Sequence, residues 1–261
     1  MRLILDFQAA DNRVQVIQDG SIRKLLFIWD KATACREQGA INVEDLTEHI
    51  YDFSLLGMYS LLFVPNPQRI LVLGLGAGVI PREMRRLFPD THIDIIEIDE
   101  TIRDVAKNYF FFEEDDKMKV HFGDAFVISK EMEEPYDIIC ADAFNPSHIP
   151  FHLMSVEFIR ELHRLSSDRS VVAANCSSYH PSLSGYINTY REVFGDKIYR
   201  LDGLKNHYSS TLYICKGEVE VFDRSSMPKD YPELNPYDIW EIDSELTDEI
   251  KNTKIFTLTG I

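Results

Sequence analysis

The sequence predicts an α/β protein, a doubly wound and mainly parallel seven-stranded sheet with a small N-terminal β-piece. Three observations carry that expectation. The apolar run Ile70 to Leu73 lacks helical periodicity and ends in Gly74, Gly76 and Gly78, as a buried parallel strand does where it turns into a helix. A second such run, HIDIIEID, closes on Glu97, roughly 20 residues later, the spacing of a ribose-binding carboxylate. Strand-like and helix-like segments then alternate as far as Cys215, the pattern of parallel strands joined by crossover helices.

Each element follows from local chemistry. Residues 1–44 carry short alternating stretches, VQVIQDG and SIRKLLFI, joined at Asp19-Gly20, a hairpin signal. Residues 45–63 repeat apolar positions at intervals of three and four and predict a helix. Pro65-Asn66-Pro67 breaks the chain before the glycine-ended strand. Helices are expected over Ile80–Phe88, Glu100–Phe110, Ala125–Glu131, Leu153–Leu165 and Ser182–Phe194. The strands between them are Thr91–Ile98, Lys117–Phe122, Tyr136–Ala141 and Ser170–Asn175, with Lys197–Leu201 and Thr211–Cys215 ending the sheet. From Lys216 the chain is acidic and contains Pro228, Pro232 and Pro236, which reads as a wrapping tail with one or two short helices. The organisation is therefore residues 1–64, a catalytic unit over 65–216, and a tail over 217–261 that packs on the core.

Composition narrows the function. With 261 residues, 45% of them hydrophobic, the chain can bury one large core. It holds no run of about 18 apolar residues, so no membrane span is expected, and MRLILDFQAADNR turns polar too soon for a signal peptide. Cys35, Cys140, Cys176 and Cys215 are scattered, which points to a reducing, cytoplasmic setting without structural zinc. The net charge of -16 disfavours nucleic acid. Such a field draws cationic substrates, although net charge also serves solubility alone.

Four predicted strands end in groups that can do chemistry: the glycine loop, Glu97 with Asp99, Gly123-Asp124, and Asp142. Ligands of such sheets gather at the carboxyl ends of the strands. Glu97 can accept from both hydroxyls of a ribose, and Asp124 from the exocyclic amine of adenine. Taken singly, each carboxylate can also be a helix N-cap, and for Asp99 before ETIRDVAK the cap is the better account. A nicotinamide dinucleotide would call for GxGxxG, with glycine in place of Val79. The loop here is GxGxG. Together with Glu97 and the Gly-Asp pair, it looks like the class I S-adenosylmethionine-dependent methyltransferase fold, which is Rossmann-like.

A closer match lies in the order PNPQRILVLGLGAGVIPREM, DIIEID, VHFGDAF and YDIICADAFNP. It resembles the spermidine/spermine synthase family, whose pattern is PxP, GGGDGG with an RE pair, EID, GDG and YDVIxxDSSDP. The resemblance runs from about Val14 to Cys215. It implies transfer of an aminopropyl group from decarboxylated S-adenosylmethionine to an amine, with no prosthetic group and no metal. Gly74, Gly76, Ala77 and Gly78 would then cradle the donor, Glu97 would hold its ribose, and Asp124 with the Ala125 backbone would meet its adenine. Asp142 would be the general base, and Asn145 and Tyr208 would face the acceptor. The resemblance also implies oligomers formed through the N-terminal part, a homodimer among them.

Two positions depart from the family pattern. Ala77 replaces the aspartate of the glycine loop, and Asn145 the second aspartate of DSSDP. A neutral side chain contributes no opposite charge to an ammonium group. These changes keep open a methyltransferase or carboxyaminopropyl transferase that uses intact S-adenosylmethionine, and a non-catalytic nucleoside binder. Tyr51 stands about one position from a family tyrosine, and the face of an amphipathic helix accounts for it. His148, His152 and His207 could crowd the rim of the same site; they lack metal-ligand spacing, and surface loop residues are the better account of them.

Overall fold

The computed structural model describes residues 1–9, 12–28, 35–143, 149–177, 183–203, 209–218, 239–241 and 254–255. Its larger sheet is built on β5 (Arg69–Leu73), which pairs in parallel with β6 (His92–Glu97) on one side and β8 (Tyr136–Ala141) on the other. Outward from these lie β7 (Met118–Phe122) beside β6 and β9 (Ser166–Ser177) beside β8, both parallel. Then β11 (Ser209–Lys216) runs antiparallel to β9, and β10 (Ile198–Asp202) antiparallel to β11. The seven expected strands thus lie in the order β7-β6-β5-β8-β9-β11-β10, with only β11 reversed.

The side chains of β5 explain the two layers. In a strand successive residues point to opposite faces. Ile70 and Val72 join α1 (Asp52–Met58), α2 (Val79–Leu87) and part of α3 (Glu100–Phe110) in one core. Leu71 and Leu73 join residues of α5 (Val156–Leu165) and α6 (Leu183–Phe194) in the other. The short α4 (Ala125–Ser129) lies on this second side through Ala125. Burial on both faces is why these strands read as unbroken apolar runs.

The N-terminal piece is a four-stranded antiparallel sheet: β1 (Arg2–Gln8), β2 (Arg13–Asp19), β3 (Ile22–Ile28) and β4 (Cys35–Asn42). Its turn at Asp19-Gly20 has Gly20 at φ 60°, the left-handed backbone that a tight hairpin requires. Val14, Val16, Leu25 and Ile41 of this sheet pack on Ala77, Val79 and Ile102, at the glycine loop and the starts of α2 and α3. At the closest approach, a Cβ on Gly39 would lie 2.5 Å from the Cβ of Ala77.

Two elements differ from the sequence-based expectation. The helix expected over residues 45–63 is confined to α1 and a 3-10 turn at Tyr59–Leu62. The segment before it is held by side chains that compete for the backbone: Asn42 Oδ1 accepts from Glu44 N–H, and Asp45 Oδ1 from Thr47 N–H. In the tail, two unexpected strands are described, while the rest of the segment where one or two short helices are expected lies outside the described residues. β12 (Ile239–Glu241) pairs with β10 and β13 (Lys254–Ile255) with β12, both antiparallel, so the sheet reaches nine strands. The open edge of β10 is a ready template for such pairing.

Candidate active site

A cavity of about 470 Å³ opens at the carboxyl edge of the parallel strands, between them, α1 and the N-terminal sheet. Its floor is the glycine loop. Gly74 (φ 91°) donates its N–H to Ile96 O at 2.8 Å, and a Cβ there would sit 2.6 Å from Asp142 O. Only glycine permits both the left-handed turn and that approach. Gly76 (φ 53°) and Gly78 (φ 68°) continue the turn into α2, Gly78 lying against the Phe112 ring.

Glu97, at the end of β6, is buried and grips this loop. Its Oε2 accepts from Leu75 N–H at 2.9 Å and its Oε1 from Asp99 N–H at 3.1 Å. Burial pushes the Glu97 carboxyl above the usual glutamate range, against the pull of the Leu75, Asp99, Ile98 and Gly76 amides. Gly78 N–H donates to Leu75 O at 2.8 Å. The amides of Gly74, Leu75 and Gly78 are therefore committed inside the protein, whereas a pyrophosphate-binding loop aims such groups at its ligand.

Asp124 follows β7 and caps α4, as its neighbour in role, Asp99, caps α3. Asp124 Oδ1 accepts from Phe126 N–H at 2.9 Å and Val127 N–H at 3.3 Å. The capping account and the cavity account are both realised, because Asp124 and Ala125 also line the cavity. The other oxygen, Oδ2, lies 2.7 Å from His152 Nε2. His152 sits on the 3-10 turn Phe151–Met154 and itself lines the cavity, so it is more than a surface loop histidine.

Asp142 follows β8. Its N–H donates to Leu73 O at 3.0 Å, locking it beside the glycine loop, and its Oδ1 accepts from Asn175 Nδ2 at 2.6 Å. Asn175 ends the expected strand Ser170–Asn175, and the same strand-end reasoning that singled out Asp142 would have found it. Tyr51, read as a helix-face residue, is instead the N-cap of α1 and part of the cavity wall. Burial, with Glu37 nearby, pushes its hydroxyl well above the usual tyrosine range. Glu37 of β4 pairs with Lys24 at 2.7 Å. Asn145 and Tyr208, like His148 and His207, lie outside the described residues.

The charge of the lining is one-sided. Glu37, Asp52, Glu97, Asp99, Asp124 and Asp142 contribute carboxylates, and no lysine or arginine lines the cavity among the described residues. Low-dielectric walls with one sign of charge focus the field into a cleft. Among those residues no group of three or more His, Cys, Asp or Glu is placed to hold a metal ion, and no helix is long and apolar enough to cross a membrane.

This strand order with a nucleoside-sized cavity at its carboxyl edge defines the class: a Rossmann-like fold of the methyltransferase type. Residues 48–198 match the family model described as the spermine/spermidine synthase domain, and the chain belongs to that family. It is 40% identical over 149 residues to a polyamine aminopropyltransferase of Vibrio vulnificus, covering 56% of this chain and 50% of that protein. It is 25% identical over 178 residues to an eEF1A lysine and N-terminal methyltransferase of Danio rerio, covering 64% of this chain and 26% of that one. Among solved structures, a spermidine synthase from Thermotoga maritima superposes with a TM-score of 0.65 at 17% identity, over 89% of this chain and 80% of that one. The chain spans about half the length or less of these two curated relatives.

Proposed function

We propose that the protein is a transferase that moves an aminopropyl group from decarboxylated S-adenosylmethionine to an amine acceptor. The observation that carries this reading is the cavity itself, six carboxylates without lysine or arginine among the described residues, beside a loop whose amides are already spent. Phosphate-bearing ligands are repelled there, and a sulfonium nucleoside and an amine are attracted. Family membership and the aminopropyltransferase relative support the same donor.

In this reading Glu97 takes the ribose hydroxyls on lone pairs that the loop amides leave available, and Asp124 with Ala125 meets the adenine. Gly74, Gly76, Ala77 and Gly78 let the donor lie against the backbone. The acceptor nitrogen attacks the methylene carbon bonded to the sulfonium. The new N–C bond forms as the S–C bond breaks, and sulfur keeps the pair in neutral methylthioadenosine. Asp142 takes the proton from the nitrogen, while Asn175 holds one oxygen of that carboxylate and aims the other. Asn145 and Tyr208 are assigned to the acceptor on the family pattern alone. The donor brings its own leaving group, so positioning and one proton transfer suffice.

A second reading is methyl transfer from intact S-adenosylmethionine. Ala77 favours it, since a buried neutral residue stands where the family carries an aspartate, and the methyltransferase relative keeps company with it. One assay separates the two. Purified protein is given either donor with a panel of amines, and the sulfur product is identified. Methylthioadenosine formed from the decarboxylated donor supports aminopropyl transfer; methylthioadenosine formed only from intact S-adenosylmethionine overturns it in favour of carboxyaminopropyl transfer, and S-adenosylhomocysteine overturns it in favour of methylation. Where methylthioadenosine forms, Asp142→Asn should lower kcat by about 10²–10⁴-fold, the range for a positioned general base, with little change in donor affinity.

A further inference from the structure

His152 lies outside every family motif matched above, and its contact with Asp124, which lies within one, has a consequence for the nucleobase. We propose that His152 is a positioning residue that fixes Asp124 as a pure hydrogen-bond acceptor, and so sets a preference for a 6-amino over a 6-oxo purine. The proposal rests on the nucleoside reading of the cavity.

The argument is one of lone pairs. Asp124 Oδ1 is held by the Phe126 and Val127 amides at the start of α4. Oδ2 meets His152 Nε2 at 2.7 Å. With both oxygens tied from different directions, the carboxylate plane cannot rotate. An ionised carboxylate only accepts. The imidazole accordingly carries its proton on Nε2 and donates it to Oδ2. What Asp124 then shows the cavity is its remaining acceptor capacity. An exocyclic amine donates into that; a 6-oxo group sets lone pairs against lone pairs. A site built to hydrogen-bond one donor rejects the analogue lacking it, because a polar group is left unpaired.

His152 is itself held in place. Its 3-10 turn ends on Ser155, whose Oγ accepts from Phe158 N–H at the start of α5 and donates to His152 O at 2.6 Å. Leu153 is buried in the core beside it. The ring is thus anchored through its backbone, while half of its side chain stays exposed at the cavity mouth. Without the imidazole, the pull on Oδ2 disappears and water can bridge the carboxylate to a 6-oxo group.

The test is calorimetric binding of methylthioadenosine and methylthioinosine to the full chain, for wild type, His152→Ala and His152→Gln. The expected result is that wild type prefers the 6-amino ligand. Alanine cuts the ratio of the two affinities by about tenfold, the effect of one lost hydrogen bond to a charged group. Glutamine, whose Nε2 can donate, restores most of it. An unchanged ratio in His152→Ala, or a ratio in His152→Gln as low as in alanine, overturns the proposal while leaving the nucleoside reading intact. Failure of wild type to bind either ligand overturns that reading and this inference together. Thermal melting of each variant separates lost folding from lost discrimination, since a merely structural histidine would lower both affinities alike.

Discussion

Glu97 is the residue on which loop, strand and ligand reading converge. Its carboxylate is buried and its proton affinity raised, burial outweighing four backbone amides. The folded protein therefore binds that proton more tightly than the unfolded chain does. By linkage, its contribution to stability is fully present below the ordinary glutamate value of 4.5 and is lost as pH rises through the raised folded value. Binding runs the other way. A ribose hydroxyl needs an acceptor, so nucleoside affinity should fall as pH drops through that raised value, before exposed carboxylates titrate. Calorimetry of methylthioadenosine binding over a pH series from well above the ordinary glutamate value of 4.5 down to it, with melting temperature followed in parallel, checks both signs. Glu97, Asp124 and Asp142 were legible in the sequence because a strand-end position is visible as the last residue of an apolar run. Glu37 and Asp52 were not, and His152 stood out only as one of three histidines that could crowd the rim. They reach the cavity from the N-terminal sheet, the start of α1 and a 3-10 turn, and no local periodicity encodes those approaches.

At the scale of elements, the close contact of β5 with β8 decides where the chemistry sits. Gly74 touches the Asp142 backbone, so the donor loop and the expected base are held as one piece. Gly74→Ala adds a Cβ 2.6 Å from a carbonyl oxygen at φ 91°. It should cost about 1–3 kcal/mol for the backbone conformation alone, and more from the clash. A denaturant melt should show that loss, and activity should fall further than stability because Asp142 moves. The strands of the parallel sheet were readable because burial on both faces leaves uninterrupted apolar runs. The start of α1 was not, because side-chain turns at Asn42 and Asp45 compete with an otherwise helical pattern. The tail strands β12 and β13 were hidden for a different reason: β12 is a strand because of the edge of β10, more than 35 residues earlier in the chain, and β13 because of the edge that β12 adds.

For the whole molecule, the two cores on either side of the sheet bury three cysteines, of which Cys176 also lines the cavity. Cys140, Cys176 and Cys215 lie on β8, β9 and β11, buried, and burial pushes each thiol up to about 12. A thiolate is the reactive form. Alkylation of Cys140 and Cys215 at pH 8 should therefore be slow and should track global opening, rising in step with denaturant, whereas local fraying would leave them untouched; Cys176 is approached from the cavity as well. Mass spectrometry of quenched aliquots measures it. If Cys140 or Cys215 reacts at the rate of an exposed thiol in native buffer, the sheet opens locally at that strand.

Gly39 and Ala77 deserve a last inference at this scale. Their approach leaves no volume for a Cβ on Gly39, so the two positions act as interlocking parts with one clearance. A longer side chain at position 77 has the cavity to extend into, since Ala77 lines it, whereas an alanine at Gly39 would push β4 off the glycine loop. The seam between the two sheets therefore sets the height of the loop over the cavity, and a change on the β4 side, remote in sequence from the glycines, would be felt at the cavity floor.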